Sequence, residues 1–371
     1  MRVSMVVFGD LRSDFRVYRE AAALRSAGWE VSLVAGARRT DLPPQWDGFR
    51  LHLLPVPATT SLRRAYPRFW RWAHRQLSEL PTDVIHAHDL DALWPAAAAA
   101  RDLGVPLVYD SHELWVEQSS LVSRPLVRGF WSVLERRLIR RARRVVAVSP
   151  AIARQLEQRY GLAAVTVLRN VPPQRPRVAS QRLRQALGLP AAEPLFLYQG
   201  GFLTDNGLPQ QVAAMARVEG AHLVLLGDGP TEPALRAQVD AARLGSRVHF
   251  LPRVPFAELH EYTCSADVGL CLIRPAGRSF YWSLPNKLFE YLMAGLPVLG
   301  GDTPEIRAVL EATGAGLTVD AADPNAIARA FIALRDDAAL RQRLGAAALA
   351  AAPDYCWERE APVLLDLYAR L

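Results

Sequence analysis

The residues best suited to hold a phosphorylated ligand are Asn286, Lys287 and Glu290, which share one face of an expected helix. In the stretch SFYWSLPNKLFEYLMAGLPVLGG, from Ser279 to Gly301, Ser283 is a candidate N-cap and Pro285 suits a first turn. A helix is therefore expected from Asn286 to Ala294, stopping at Gly295. Leu288, Phe289 and Leu292 fall on the opposite, buried face. The start of a helix offers unpaired N–H groups and positive partial charge, and an ammonium beside it completes a site for phosphate oxygens. Glu290, one turn further in, could accept two hydrogen bonds from a vicinal diol such as a ribose. Lys287 is also the only lysine of the sequence, in a chain otherwise biased to arginine. The plainer alternative is a surface Lys–Glu pair at i, i+3, worth about 0.2–0.5 kcal/mol.

Two clusters of histidine and acid form a second group of chemical residues: HAHD, His86 to Asp89, and DSHE, Asp110 to Glu113. Each follows a short apolar run, Val84 to Ala87 and Leu107 to Tyr109, at the strand end where parallel sheets bind ligands. A lone histidine is more often structural. Two clusters at consecutive strand ends favour a site.

The elements that must position these residues alternate along the chain. Met1 to Phe8 is an expected strand, Gly9 to Asp14 a loop, Phe15 to Ser26 a helix and Glu30 to Ala35 a strand, the opening of a Rossmann-like domain. Further strands are expected at Val145 to Val148 and Val165 to Leu168, with a helix from Leu90 to Leu103. The dinucleotide fingerprint G-x-G-x-x-G is absent after the first strand, which argues against a nicotinamide-dependent enzyme. Asn170 to Ala179, NVPPQRPRVA, carries three prolines and reads as a linker. A second alternating series follows. Its strands are Leu195 to Gln199, Leu223 to Leu226, Arg247 to Leu251, Val268 to Ile273 and Pro297 to Leu299, and a helix spans Leu208 to Val218. The final stretch, Asp354 to Leu371, shows helical apolar spacing.

A length of 371 residues, half of them hydrophobic, suits two domains. Three cysteines without metal-ligand spacing predict neither disulfide nor zinc site. No charged leader and no apolar run of about 18 residues is found, so a cytoplasmic protein is expected. The net charge of +7 is uneven: through Asn170 there are 25 arginines against 16 acidic residues. That asymmetry points to an anionic partner, and no nucleic-acid module is legible. Two Arg-rich stretches, Leu62 to Leu77 and Arg124 to Arg144, could rest peripherally on an anionic membrane. Equally, they could be ordinary amphipathic core helices with solvated arginines.

The segment PNKLFEYLMAGLPV resembles the donor-binding segment of glycosyltransferase family 4, retaining enzymes of the two-domain GT-B fold, in a subgroup with a PNKLFEY-type segment. Nearly the whole chain is covered by the resemblance. It implies an α/β fold of two Rossmann-like domains with parallel sheets facing across a cleft. The acceptor-side domain would span 1–170, a linker 171–179 and the donor domain 180–353, and a C-terminal helix over 354–371 would cross back to the first domain.

The resemblance also implies roles. Glu290 would hold the donor ribose, and Pro285, Asn286 and Lys287 would lie at the diphosphate, with Lys287 stabilising the leaving group. His88 would position the donor sugar at the reaction centre. Gly200 and Gly201, Gly229 in the GDGP turn, and Arg253 and Val254 at the base would complete the donor side. Gly9, Asp10, Arg16, His112 and Glu113 would line the acceptor side, although Arg16 could equally be a solvated helix-face arginine. The co-substrate would be a nucleotide diphosphate-sugar, with no other cofactor and no metal.

Two departures stand out. Trp282 occupies the place of a first donor-side glutamate, and Gly201 and Asn206 stand where an arginine and a lysine usually meet the diphosphate, leaving Arg274 or Arg278 as substitutes. A catalytically silent nucleotide-sugar binder or partner-stabilising protein is the alternative from another class, with a nucleotide-sugar epimerase a third.

Overall fold

Short apolar runs without clean alternation are what strands covered on both faces require, and here they form parallel strands. The computed structural model describes residues 1–12, 14–57, 59–190, 192–274 and 277–371. These divide into two units, Met1–Arg169 with Gly277–Ser279 and Glu360–Leu371, and Asn170–Ala276 with Phe280–Arg359.

In the first unit the strands are β1 (Arg2–Phe8), β2 (Glu30–Ala37), β3 (Arg50–Pro55), β4 (Val84–His88), β5 (Leu107–Ser111), β6 (Arg144–Ala147) and β7 (Thr166–Val167). Among the described residues they pair in parallel in the order β3-β2-β1-β4-β5-β6-β7. Parallel neighbours need crossovers, supplied chiefly by helices α1 (Phe15–Ser26), α2 (Leu62–Glu79), α3 (Leu90–Leu103), α4 (Ser119–Val122), α5 (Pro125–Leu138) and α6 (Pro150–Tyr160). Local chemistry sets several ends. Asp14 caps α1 by accepting from the Val17 N–H, Ser149 caps α6 by accepting from Ile152, and α3 stops at Gly104 in the left-handed region. The register sets His88 of β4 opposite Asp110 of β5, so the two histidine motifs meet at one end of the sheet.

The two Arg-rich stretches differ in a way their sequences do not reveal. In α2 the apolar stripe Ala65, Phe69, Ala73 and Leu77 is buried, with Phe69 against Phe8, ring centroids 5.0 Å apart. This helix is therefore an amphipathic core helix with a solvated Arg face, and Leu62 at its start is exposed. On α5, Trp131, Glu135 and Leu138 face inward while Leu126, Phe130 and Val133 point out.

The second unit begins with α7 (Arg182–Leu187) after an irregular Pro-rich run. Its strands are β8 (Leu195–Gln199), β9 (His222–Leu226), β10 (Val248–Leu251), β11 (Val268–Cys271), β12 (Val298–Gly301) and β13 (Gly316–Val319), all parallel, in the order β10-β9-β8-β11-β12-β13. Between and after them run α8 (Leu208–Met215), α9 (Glu232–Ala241), α10 (Phe256–Cys264), the short α11 (Arg278–Tyr281), α12 (Asn286–Met293), α13 (Pro304–Thr313), α14 (Pro324–Asp336) and α15 (Ala338–Ala351). The last helix, α16 (Trp357–Ala369), belongs from Glu360 onward to the first unit. Helix α8 ends before the expected Val218 because Arg217 and Val218 bond three residues back, tightening the last turn.

Alternate residues of β8 feed two cores: Phe196 and Tyr198 join one face, where Phe196 stacks on Phe331, and Leu195 and Leu197 join the other. Helix α12 lies very close to the sheet. A Cβ on Gly269 would be 2.3 Å from the Tyr291 ring, and the Tyr291 hydroxyl donates to the Leu197 carbonyl at 3.1 Å. Gly269→Ala should accordingly force Tyr291 off its seat and destabilise the protein by about 1–3 kcal/mol, read as a lower unfolding midpoint. An unchanged midpoint would mean that α12 can withdraw from β11 without cost.

Candidate functional site

At the carboxyl end of β8 the chain turns through Gly200 and Gly201, and α12 starts beside it. The Lys287 Nζ lies 3.8 Å from the centroid of the Tyr198 ring, held by cation–π attraction. Gly200 has φ +129°, which favours glycine, and a Cβ there would stand 3.3 Å from the Lys287 Nζ and press on the ammonium. Tyr198 is fixed in turn by donating to the Gly201 carbonyl at 2.6 Å. Glu290 accepts from Gln199 Nε2, whose Oε1 accepts from Thr263 Oγ1 at 2.8 Å. A chain of three side chains from β8, α10 and α12 thus presets the carboxylate. A small pocket opens beside it, walled by Pro172, Pro173, Phe256, Leu259 and Met293.

The remaining donor-side residues take different parts. Gly229 allows two loops to interlock: its Cβ would stand 2.5 Å from the Phe202 carbonyl oxygen, and the Phe202 N–H donates to Asp228 at 2.7 Å. Gly200 likewise donates its N–H to Leu226, so these amides serve the loop itself, and Gly200 acts through the room it leaves. Asn206 closes the same loop by donating to the Gly201 carbonyl at 2.8 Å. The exposed Arg253 pairs with Asp228 at 2.8 Å, Val254 is half-buried, and Trp282 lies edge-on to Tyr281. Ser283 does not cap α12. Its hydroxyl donates to the Phe280 carbonyl at 2.8 Å, and Pro285 is itself the capping residue, which leaves the first amides of the helix without a side-chain cap.

In the first unit a buried network centres on Asp110. Arg16 grips its carboxylate with two bonds of 2.7 Å, sends Nη1 to the Leu168 carbonyl at 2.8 Å, and lies 3.0 Å from Glu20. Arg16 is thus neither a solvated helix-face arginine nor free to line a ligand; it is enclosed and committed to protein partners. Burial alone would raise the Asp110 carboxyl, but Arg16 and then His112 hold it well below the usual range. His112 sits between two carboxylates, Nε2 at 2.9 Å from Asp110 and Nδ1 at 3.1 Å from Asp89. Burial opposes its charge, yet Asp89 and Asp110 together raise its pKa well above 6.5, so it is an imidazolium at neutral pH. Asp89 pairs this role with a strained backbone, φ +64°, at the N-cap of α3, where its side chain makes no capping bond and instead accepts from the His112 N–H at 2.9 Å.

His88 is a correction to the expected arrangement. It is completely enclosed, stacked on His86 at 4.3 Å, and burial lowers its pKa, so it is neutral and reaches no surface. His112, 19% exposed, is the histidine that does. His86 accepts or donates at 2.7 Å to the Tyr368 hydroxyl of α16. Glu113, next to His112, is pushed up to about 7 by burial and then by Asp89, and is held by Gln118 and by Ser279 Oγ at 3.3 Å. Nearby, Gly9 donates its N–H to Gly36, and Asp10 accepts from the Arg12 N–H at 3.1 Å. Sequence reasoning passed over Gln199, Tyr198, Glu20 and Tyr368. Only Glu20 carried a signal, standing one helical turn after Arg16.

Among the described residues one cluster has metal-ligand spacing: Glu20, His86, His88 and Asp110, with donor atoms within 4.8 Å of one another. The Arg16 guanidinium already lies against both of its carboxylates and supplies the charge a cation would bring.

The sequence matches the glycosyl transferase 4-like domain over residues 14–171 and the group 1 glycosyl transferases over residues 193–337. It is 29% identical to a D-inositol 3-phosphate glycosyltransferase of Xylanimonas cellulosilytica, across 94% of this chain and 89% of that one. Identity to a phosphatidyl-myo-inositol mannosyltransferase of Mycobacterium leprae is 27%, across 99% and 96%. Its fold superposes on Anabaena HepE, solved in complex with UDP and glucose, with a TM-score of 0.79 at 18% identity over 100% of both chains. The fold is GT-B.

The Asp110 network makes stability depend on pH in a defined sense. Burial, then the Asp110 charge, push Glu20 up to about 8 from an ordinary 4.5. Folded chains keep this proton at neutral pH and unfolded chains do not, so its stabilisation is complete below about 4.5 and is lost as pH rises through about 8. His86 and His88, lowered from 6.5, act in the opposite sense at lower pH but are largely neutral in both states above about 7. Between about pH 7 and 8.5 stability should therefore fall, because Glu20 and the raised His112 each keep in the folded chain a proton that the unfolded chain has released, by up to about 1.4 kcal/mol per pH unit for each proton. Glu20→Gln should reduce that fall in thermal melts, leaving the part carried by His112. An identical slope in the variant would show that another group carries the proton.

Proposed function

Because the chain belongs to the glycosyltransferases of the GT-B fold, we propose that it transfers a sugar from a nucleotide diphosphate donor to an acceptor hydroxyl, retaining configuration and using no metal. The PNKLFEY segment would place it in the family 4 subgroup that carries this sequence. The observation that supports this most is the pairing of the Lys287 ammonium, seated over Tyr198 at the uncapped start of α12, with the preset Glu290 carboxylate one turn on. A diphosphate against the helix start and a ribose diol on Glu290 match these two groups in charge and spacing. HepE, of the same fold, binds UDP, a ligand of this class.

In the reaction the bond between the sugar carbon and the phosphate oxygen breaks, the acceptor oxygen takes that place, and the acceptor proton leaves with the diphosphate. Negative charge grows on the departing group. Lys287 and the first amides of α12 stabilise it there, and because they are fixed in advance they act more on the transition state than on the bound donor. With Gly201 and Asn206 in place of cations, Lys287 carries most of the side-chain charge. Within the first unit His112, rather than the enclosed His88, is the charged ring that a ligand could reach, and Glu113, near its titration point at neutral pH, can hydrogen-bond a hydroxyl as donor or acceptor. Trp282 offers the sugar an apolar wall. In this reading Arg16, Asp110 and Asp89 are positioning residues.

A panel of nucleotide sugars and candidate acceptors, with released nucleotide and product anomer measured, tests the reading. Lys287→Ala should lower turnover by about a hundred- to a thousandfold and weaken donor binding less. Glu290→Gln should weaken nucleotide binding by about ten- to a hundredfold, since it loses a hydrogen bond to a charged group, as read by calorimetry. Parental turnover in Lys287→Ala at saturating donor would remove the lysine from the mechanism and move the diphosphate to arginines such as Arg274.

A further inference from the structure

Helix α5 carries an exposed apolar stripe that the transfer reaction does not use. Leu126, Phe130 and Val133 are 89%, 52% and 50% exposed, and their spacing sets them on one face of the helix. The stripe rests on a rigid aromatic base: Phe130 stacks on Trp70 at 6.4 Å and meets Trp131 edge-on at 5.4 Å, while Trp70 stacks on Trp94 at 5.6 Å. On α5 the exposed charges have one sign. Arg124 flanks one end and Arg136 and Arg137 the other, and on α2, which meets α5 through Trp70, Arg64, Arg68 and Arg71 are also exposed. The two acids of this segment are withdrawn: Glu117 is buried against Arg128 and Arg159, and Glu135 is buried under Tyr109 and Tyr160.

We propose that this α5 face docks the protein on an anionic lipid bilayer, with Leu126, Phe130 and Val133 entering the headgroup boundary and the surrounding arginines meeting lipid phosphates. Charge decides among occupants. A second copy of the chain would set the same arginine rim against itself across a two-fold contact, and like charges there repel. A nucleic acid would answer the arginines but leave the apolar stripe idle. Apolar side chains on the outside of a helix with a basic flank and no exposed acid match an interface whose core is hydrocarbon and whose surface is negative. No helix among the described residues is long and apolar enough to cross a membrane, so the contact is peripheral.

The test is sedimentation of the full chain with vesicles of phosphatidylcholine alone or mixed with phosphatidylglycerol. The parent should sediment with the mixed vesicles at low salt, lose that binding as ionic strength rises, and stay in solution with phosphatidylcholine alone. Leu126→Ser, Phe130→Ser and Val133→Ser combined should lower the bound fraction at least tenfold with nucleotide affinity and circular dichroism unchanged, because these side chains already face solvent. Arg136→Gln with Arg137→Gln should weaken binding and reduce its salt dependence. Three results would overturn the proposal: a parent that stays in solution with mixed vesicles at low salt, a triple variant that sediments like the parent, or a dimeric parent that the triple variant renders monomeric. Sugar transfer rests on separate residues, so none of these outcomes bears on it.

Discussion

A carboxylate sealed from water is tolerable only when its charge is answered from close by, and the first unit is built around meeting that condition for Asp110. Two bonds from Arg16 and one from His112 converge on it. They come from α1 and from the loop after β5, so satisfying one charge also fixes a helix against a sheet and a loop against both. Removing either partner would leave the other charge buried and uncompensated, which is why such groups persist together. His112 gains its orientation from the same condition: with Asp89 on one nitrogen and Asp110 on the other, the ring has one place to stand and one charge state to hold there.

The second unit solves the opposite problem. Lys287 must hold a charge that a ligand can reach, so it is half-exposed and leans on a ring, an attraction that needs no counter-charge. Glu290 is oriented by the Gln199 amide. Both the Asp110 network and this pair sit at carboxyl ends of parallel strands, where the loops after the strands are free of the ladder.

Much of this was legible in the sequence, and what was not shares one cause. Periodicity locates a strand or the apolar face of a helix, and it placed α1, α3 and β8 at their observed limits. What covers a face is a property of distant segments. His88 and His112 look alike in their motifs, yet one is sealed and the other open, in part because Glu20 of α1 and His86, itself held by Tyr368 of α16, pack against the first. The Tyr368 bond to His86 spans 282 residues of sequence. For the same reason α2 and α5 read as equivalent Arg-rich helices, although the stripe of one is buried and that of the other is not. The family resemblance located Glu290 and Lys287, but Gln199 and Tyr198, which hold them, lie far upstream in a strand that reads only as apolar. Ser283 misled because the helix starts at Asn286 with Pro285 as its N-cap, which puts Ser283 two residues too early to cap, and its hydroxyl donates to the Phe280 carbonyl instead.

The first unit also takes residues from both sides of the second in chain order. Arg169 donates to Glu360 through both its backbone N–H and its side chain, 191 positions on, and Tyr368 completes the His86 pocket. During synthesis at about 5–20 residues per second, the first sheet emerges roughly 10–40 seconds before the strand of chain that seals it. For that interval its histidine pocket stands open to water, and the intervening residues have time to fold as a unit of their own. A ribosome-bound chain would therefore pass through a stage in which the second unit is finished and the first, though older, is not.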